Sequence, residues 1–228
     1  MSSQLTFYGH SSFGLQIEQY RLLFDPYFSG NPAASTSADK VDADYILVSH
    51  GHGDHLGDAV KIAKRCDATV IAVAEIASWL RAQGVKTHAQ HLGGAFQHPF
   101  GVCKVTLALH GSSLPDGSYG GNPAGFLLTL PDGKKLYFAG DTGLFGDMRL
   151  IGDEGVDIAL LPIGDNYTMG PADALRAVEF LRPRIAIPMH YNTFSLIQQD
   201  PQAWKRSVET VTDTRVVILK PGENYSVA

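Results

Sequence analysis

Short apolar runs alternate with polar loops along this chain, and the runs repeatedly end on polar residues. "LTFYGH", "FGLQIEQ" and "RLLFDP" are brief, rich in aromatic and aliphatic residues and divided by polar breaks. They predict three strands near the N-terminus. Residues 29–40, "SGNPAASTSADK", read as a polar loop. "ADYILVS" is continuously apolar, which suits a strand buried on both faces. "GDAVKIAKRC" has helical spacing at Val60, Ala63 and Lys64. "ATVIAVA" is a second buried strand, and "EIASWLRAQG" a short helix stopped by Gly84.

From residue 86 to 131 the pattern is β again, with "VCKVTLALH" and "GFLLTL" joined by "GSSLPDGSYGGNPA". "PDGKK" reads as a hairpin turn. "KLYFAGDTG", "VDIALLPIGDN" and "RIAIPMHYN" are strands that end in polar groups. "GPADALRAVEFLRP" is a helix with Pro171 near its start, Pro183 past its end, and a core stripe of Leu175, Val178 and Leu181. "PQAWKRSVETVT" predicts the last helix and "RVVILKPGE" the last strand. Each half of the chain begins with hairpin-type strands and then runs strand, polar loop, helix, strand. That rhythm predicts an α/β fold with two sheets packed face to face and helices outside, a four-layer αββα sandwich. No linker divides the chain, so a single domain over 1–228 is expected.

Composition narrows the picture. With 44% hydrophobic and 18% charged residues, the chain can bury a core. A formal charge of −5 and the lack of a basic block argue against a general nucleic-acid binder, while leaving open a small phosphate-bearing substrate held by a metal. Two cysteines, Cys66 and Cys103, argue against a disulfide framework and exclude a cysteine-rich zinc site; both read as small buried hydrophobes. There is no run of about 18 apolar residues and no evident signal peptide. A cytoplasmic protein acting on a small molecule, with no membrane span, is the expectation.

The chemistry lies at the strand ends. "YILVS" leads to His50, His52, Asp54 and His55, "VTLAL" to His110, "LYFAG" to Asp141 and "IAIPM" to His190. Those are five histidines and two aspartates. A tetrahedral ion takes about four ligands, so seven fit two divalent ions about 3.5–4 Å apart better than one. His50 and His52, two apart on an extended segment, point to one side. A turn then swings Asp54 and His55 toward a second position, and Gly51 and Gly53 relieve crowding.

"HGHGDH", followed in order by a histidine, an aspartate and a histidine, resembles the metallo-β-lactamase superfamily of metal-dependent hydrolases, over about residues 5–192. The resemblance implies the αββα sandwich. It implies that His50, His52 and His110 hold one metal and that Asp54, His55 and His190 hold the second, with Asp141 bridging. It also implies that Asp25, in "LLFDP", supports the metal loop from behind. "YGHSSF", "FDPYFSGNP", "FAGDTG", "LPIGDNYTMGPADA" and "MHYNTF" resemble a branch that groups with ascorbate-phosphate lactonase and, further off, with the phospholipase D acting on N-acyl ethanolamine phospholipids. Neither cysteine falls at a ligand position, unlike the commonest β-lactamases of the superfamily. His52 stands where flavodiiron oxygen reductases usually carry an acid, which favours hydrolysis over redox chemistry.

The implied activity is hydrolysis of an ester-type bond (lactone, phosphodiester or thioester) by a water activated between two divalent ions. Zn²⁺ is expected first, then Mn²⁺ or Fe²⁺. Asp141 fixes the metal spacing. His10, in "YGHSS", is the first candidate for general acid or oxyanion support, against a structural hydrogen bond. Asp165, with Asn166, is a candidate pocket residue, against a turn acid; Asn192 is a weaker one. Tyr119, Tyr167 and Tyr191 are pocket-shaping or packing residues, and His88, His91 and His98 surface or core residues. A homo-oligomer is expected by analogy with such branches. The rival readings are a di-iron redox enzyme and a metal-stabilised binding protein without turnover.

Overall fold

The computed structural model describes residues 3–227. They fall into two compact units. One comprises the chain up to Gly94, Gly111–Pro123 and the segment from Leu219; the other comprises Ala95–His110 and Ala124–Ile218.

The first unit opens with β1 (Ser3–Gly9), β2 (Ser12–Ile17) and β3 (Tyr20–Phe24). After the polar loop come β4 (Tyr45–Leu47), α1 (Gly53–Leu56), α2 (Ala59–Cys66), β5 (Thr69–Ala72), α3 (Ala74–Ala82) and β6 (Lys86–Ala89). β1 alternates buried and less buried positions, as a strand with one covered face must. α3 ends at Ala82, and Gly84 follows with φ +78°, the left-handed geometry expected of a stop. In α2 the buried positions are Ala59, Ile62 and Ala63. The expected stripe of Val60, Ala63 and Lys64 is therefore rotated. Val60 is half-buried and Lys64 exposed, because Ile62 is the larger branched anchor.

The second unit contains β7 (Ala95–His98), β8 (Gly101–Leu107), β9 (Ala124–Thr129), β10 (Lys135–Phe138), α4 (Met148–Asp153), β11 (Ile158–Pro162), α5 (Pro171–Leu181), β12 (Ile185–Met189), α6 (Pro201–Val211) and β13 (Arg215–Val216). β11, "IALLP", is buried at every position, the reading its unbroken apolar run supports. α5 begins with Pro171 at its first turn, where a missing N–H costs nothing. It buries Ala174, Ala177, Val178 and Leu181; Leu175 lies at the edge of that stripe and is half-buried. The Asp200 side chain caps α6, accepting from the amides of Gln202 and Ala203. The expected last strand is shorter than "RVVILKPGE": β13 holds two residues. After Pro221 the chain forms β14 (Asn224–Val227), which pairs with β1.

Each unit holds one seven-stranded sheet, ordered β14-β1-β2-β3-β4-β5-β6 and β7-β8-β9-β10-β11-β12-β13. In both, the first three pairings are antiparallel and the last three parallel. The two-fold rhythm of the sequence is thus a repeated strand plan. Matched positions carry matched chemistry: a histidine follows the second strand of each sheet (His10, His110) and an aspartate the fourth (Asp25, Asp141). No helix among the described residues is long and apolar enough to cross a membrane.

Candidate metal centre

In the first unit, three consecutive parallel strands present their C-terminal ends together, and β3 and β4 lead into the chemistry. Asp25 follows β3 with φ +40° and is fully buried. Its Oδ1 accepts from the Ser49 amide at 2.8 Å and its Oδ2 from the Ser49 hydroxyl at 2.6 Å. Oδ2 also lies 2.7 Å from His55 Nδ1. One carboxylate therefore ties down the start of the histidine loop and the last histidine in it.

His50 Nδ1 lies 2.9 Å from Ser49 Oγ, and His50 Nε2 lies 3.1 Å from His52 Nδ1. The rings of His50 and His55 are 4.1 Å apart. His52 opens α1, its carbonyl accepting from the amides of His55 and Leu56. Asp54 and His55 are carried on this single helical turn, which swings them away from the extended His50–His52 segment. Two glycines make the turn possible. A Cβ on Gly51 would meet the Ser113 carbonyl oxygen at 2.9 Å. Gly57 has φ +39°, and a Cβ there would meet the Pro26 carbonyl oxygen at 2.4 Å.

His10 follows β1 with φ +59° and its ring is buried. Its Nε2 lies 3.2 Å from Asp54 Oδ2, while His55 Nε2 lies 3.9 Å from the same oxygen. His10, Asp54 and His55 thus offer ligand atoms within 4.8 Å of one another, as do Asp25, His50 and His55. The Tyr27 ring stands edge-on to His10, and burial, aided by the nearby Asp54 carboxylate, raises its phenol pKa.

In the second unit β8 runs parallel to β10, because each is antiparallel to β9; β10, β11 and β12 are parallel. The loops after β8, β10, β11 and β12 therefore share one edge of the sheet. His110, Asp141, Asp165 and His190 lie on those four loops. Asp141 and His190 are buried, and His110 is half-buried. Asp141 Oδ2 stands 2.9 Å from His190 Nε2 and 3.6 Å from His110 Nε2. Thr142 braces this edge: its hydroxyl oxygen accepts from the Leu109 amide at 2.9 Å, and its carbonyl accepts from Met169 N at 2.9 Å.

Asp165 is placed apart from that contact. It is exposed, has φ +62°, accepts from the Asn166 amide at 2.9 Å, and has Gly170 beneath its carboxylate. Asn192 clamps its own loop, donating to Gln199 O at 3.0 Å and accepting from Gln199 N at 2.7 Å. Tyr119 and Tyr167 are exposed, and burial raises the Tyr191 phenol pKa. His88 lies half-buried in β6, His91 is exposed, and His98 stacks on Phe100 at 5.0 Å. The sequence reading did not single out Ser49 and Thr142. Their one signal is position, since each sits next to a ligand-type residue.

The donor chemistry fits divalent ions. All the grouped donors are imidazole or carboxylate, and no thiol is among them. The His55 ring is held at Nδ1 by a buried carboxylate, the arrangement that fixes the tautomer and direction of a metal-binding imidazole.

Comparisons agree with that chemistry. Residues 20–191 match the model of a family described as the beta-lactamase superfamily domain. A relative from Desulforamulus reducens, described as a UPF0173 metal-dependent hydrolase, is 55% identical over 96% of this chain and 98% of its own. One from Heliobacterium modesticaldum with the same description is 50% identical, over 97% and 96%. The solved structure of Igni18, a metallo hydrolase from the hyperthermophilic archaeon Ignicoccus hospitalis, is 35% identical with a TM-score of 0.92, covering 100% of this chain and 99% of that one.

Proposed function

Since the chain belongs to the metallo-β-lactamase superfamily of metal-dependent hydrolases and has the α/β fold of that superfamily, we propose that it is a dinuclear enzyme acting on an ester-type bond of a small substrate. The observation that carries this reading is the meeting of Asp141 with His190 and His110 at one sheet edge, in a chain whose other sheet gathers His50, His52, Asp54 and His55. His50, His52 and His110 would hold one ion, and Asp54, His55 and His190 the other, with Asp141 shared. Zn²⁺ suits these donors first, Mn²⁺ or Fe²⁺ next. Divalent ions supply Lewis acidity and bring the pKa of water toward neutrality.

The chain's own groups do the rest. Asp25 holds the histidine loop and the His55 ring in place before any ion arrives. His10 orients the Asp54 carboxylate from a site closed to solvent; this contact supports a positioning role over direct delivery of a proton. Asp141 stands between the His190 and His110 imidazoles and is the carboxylate placed to be shared by the two ions. Asp165, exposed on the same sheet edge, would meet the substrate. A cytoplasmic location and a homo-oligomer belong to the same reading.

The test joins metal content to turnover. Protein purified, stripped with chelator and reloaded should bind close to two equivalents of Zn²⁺ or Mn²⁺. Hydrolysis of chromogenic esters, thioesters, lactones or phosphodiesters should return with the second equivalent. A stoichiometry of one with full activity would sink the dinuclear reading. Two bound ions with no turnover on any of the four bond types would sink the ester-type reading.

A further inference from the structure

We propose that the hairpin of residues 112–120 is a positioning element for the ion that His50 and His52 would hold: Ser112 fixes the backbone between those two histidines, and the contact of Asp116 with Trp79 fixes the hairpin on α3. The proposal rests on the metal reading above and adds to it two positioning residues, Ser112 and Trp79, that donate nothing to a metal.

The histidine loop follows β4, and α3 follows the parallel neighbour β5. These strands stay paired past Leu47, with Val48 N donating to Ile71 O at 3.1 Å. Their ends form one frame, and the hairpin spans it. The hairpin is closed by its own backbone bonds. Leu114 N donates to Ser118 O and Gly117 N to Leu114 O, both at 2.8 Å, and Gly120 N donates to Ser112 O at 2.9 Å. A displacement at the tip of such a closed turn is carried to its base.

The base lies along the histidine loop. The Gly51 amide, midway between His50 and His52, donates to Ser112 Oγ at 3.1 Å in a buried contact. The buried Leu114 side chain covers the same glycine: a Cβ on Gly51 would come within 3.2 Å of Leu114 Cδ2. Gly111 stands by the His52 ring, where a Cβ would lie 3.6 Å from Nε2. The peptide at Gly51 sets the directions in which His50 and His52 leave the chain. A buried amide must keep an acceptor, so the hydroxyl that holds this one also holds the two imidazoles in relation to each other.

The tip is tied to α3. Trp79 Nε1 donates to Asp116 Oδ2 at 2.8 Å, while Asp116 Oδ1 accepts from the Ser118 amide at 2.9 Å and the Ser118 hydroxyl at 2.6 Å. One carboxylate thus joins the turn both to itself and to the helix. Just past the hairpin, Gly121 has φ +80°, and a Cβ there would run into Glu75 Oε2 and Val73 Cγ2 at the start of α3. Residues 115–119 are all exposed. The tip therefore buries little, and what its tie to Trp79 supplies is placement.

Metal titration of the chelator-stripped full-length protein, by competition with a chromophoric chelator, tests this. Ser112→Ala should weaken one Zn²⁺ equivalent about tenfold or more and leave the other within about twofold of the parent. Trp79→Phe keeps a ring and removes the donor; it should weaken the same equivalent about two- to fivefold. The double variant should bind no more weakly than Ser112→Ala alone, because Trp79 acts through Ser112. In Co²⁺-loaded protein the visible bands of that equivalent should shift and those of the other stay. Ser113→Ala keeps the carbonyl that faces Gly51 and should match the parent throughout. Parent affinities and spectra in both single variants overturn the proposal. So do equal losses at both equivalents in step with a lower melting temperature, since the hairpin would then be a stability element only. Additive losses in the double variant overturn the route through Ser112. A parent that takes up no metal ends the metal reading and the proposal together. The staged losses in a protein that hydrolyses no ester keep the hairpin's role and reject the ester chemistry.

Discussion

Asp25 Oδ2 and His55 Nδ1 stand 2.7 Å apart, and neither side chain is exposed to solvent. The same carboxylate also takes two hydrogen bonds from Ser49. Asp25→Ala would leave the Ser49 amide, its hydroxyl and the His55 ring without their acceptor. A buried charge-assisted cluster broken on one side costs about 3 kcal/mol, which for a chain of this size lowers the melting temperature by about 6–12 °C. Calorimetry on chelator-treated protein isolates that loss from metal binding. Metal affinity should fall a further 10- to 100-fold or so, read by competition with a chromophoric chelator.

Removing the metals should itself destabilise the fold. Ligands that bind only the native state stabilise it by mass action, about 2.7 kcal/mol when free metal is 100 times its Kd. The melting temperature of the parent should therefore climb with added Zn²⁺. His52→Ala and His190→Ala should each blunt the climb and reduce turnover by a factor on the order of 100 or more. A melting temperature indifferent to zinc in the parent would deny these residues their assigned place.

Gly57 is the hinge behind Asp54 and His55. With φ +39° and the Pro26 carbonyl oxygen 2.4 Å from any added Cβ, an alanine fits neither in backbone angle nor in space. Gly57→Ala should cost about 1–3 kcal/mol and displace α1. Urea unfolding with an unchanged slope, together with weaker metal binding, is the expected pair of results. Gly53, where a Cβ would meet nothing within 4 Å, is the control: alanine there should leave both measurements near the parent values.

The two thiols should behave differently. Cys103 is buried within β8, and burial pushes its thiol pKa up to about 12. Cys66 is half-buried at the end of α2, with Sγ 3.6 Å from Asp42 Oδ1. At pH 8 Cys103 is almost wholly protonated. A thiol reagent should therefore titrate one cysteine in the native protein and two in denaturant. Two fast equivalents under native conditions would contradict the packing around Cys103.

Acid sensitivity should trace in part to Asp44. The Arg21 guanidinium hydrogen-bonds its carboxylate and holds its pKa below the ordinary value, against the opposing effect of partial burial. A carboxylate with a lowered native pKa adds stability that is complete above the unfolded value of about 3.9. That stability is lost as the pH falls through the lower folded value. Arg21→Gln should melt below the parent at pH 7, and the difference should shrink below about pH 4. A gap that stays constant through that window would mean that Arg21 acts by packing alone.

The β-rich α/β layout and the strand-end positions of the seven ligand-type residues were legible because both arise from local pattern. An apolar run predicts a buried strand, and a polar residue ending it stands at a sheet edge. Asp141 and His190 meet at 2.9 Å as that logic implies. Ser49 and Thr142 were not legible, because a hydroxyl matters only through the backbone amide or carboxylate that folding brings to it. The rotated face of α2 has a local cause: over eight residues, a stripe drawn through Val60 and Lys64 passed over Ile62, the larger branched side chain. The last strand was misjudged because the run "RVVIL" does not reveal that its pairing with β12 ends once Val217 N has donated to Ala186 O. Its Pro-Gly sequel releases the chain to reach β1 instead.

The common strand plan of the two sheets has an evolutionary consequence. If one ancestral half was copied within the gene, the aspartate after its fourth strand came to exist twice, and the twins were free to diverge. Asp25 is now committed to its neighbours Ser49 and His55, while Asp141 stands beside the imidazoles of His110 and His190. Redundancy of this kind lets one carboxylate become scaffolding without the lineage losing its chemistry at any intermediate generation.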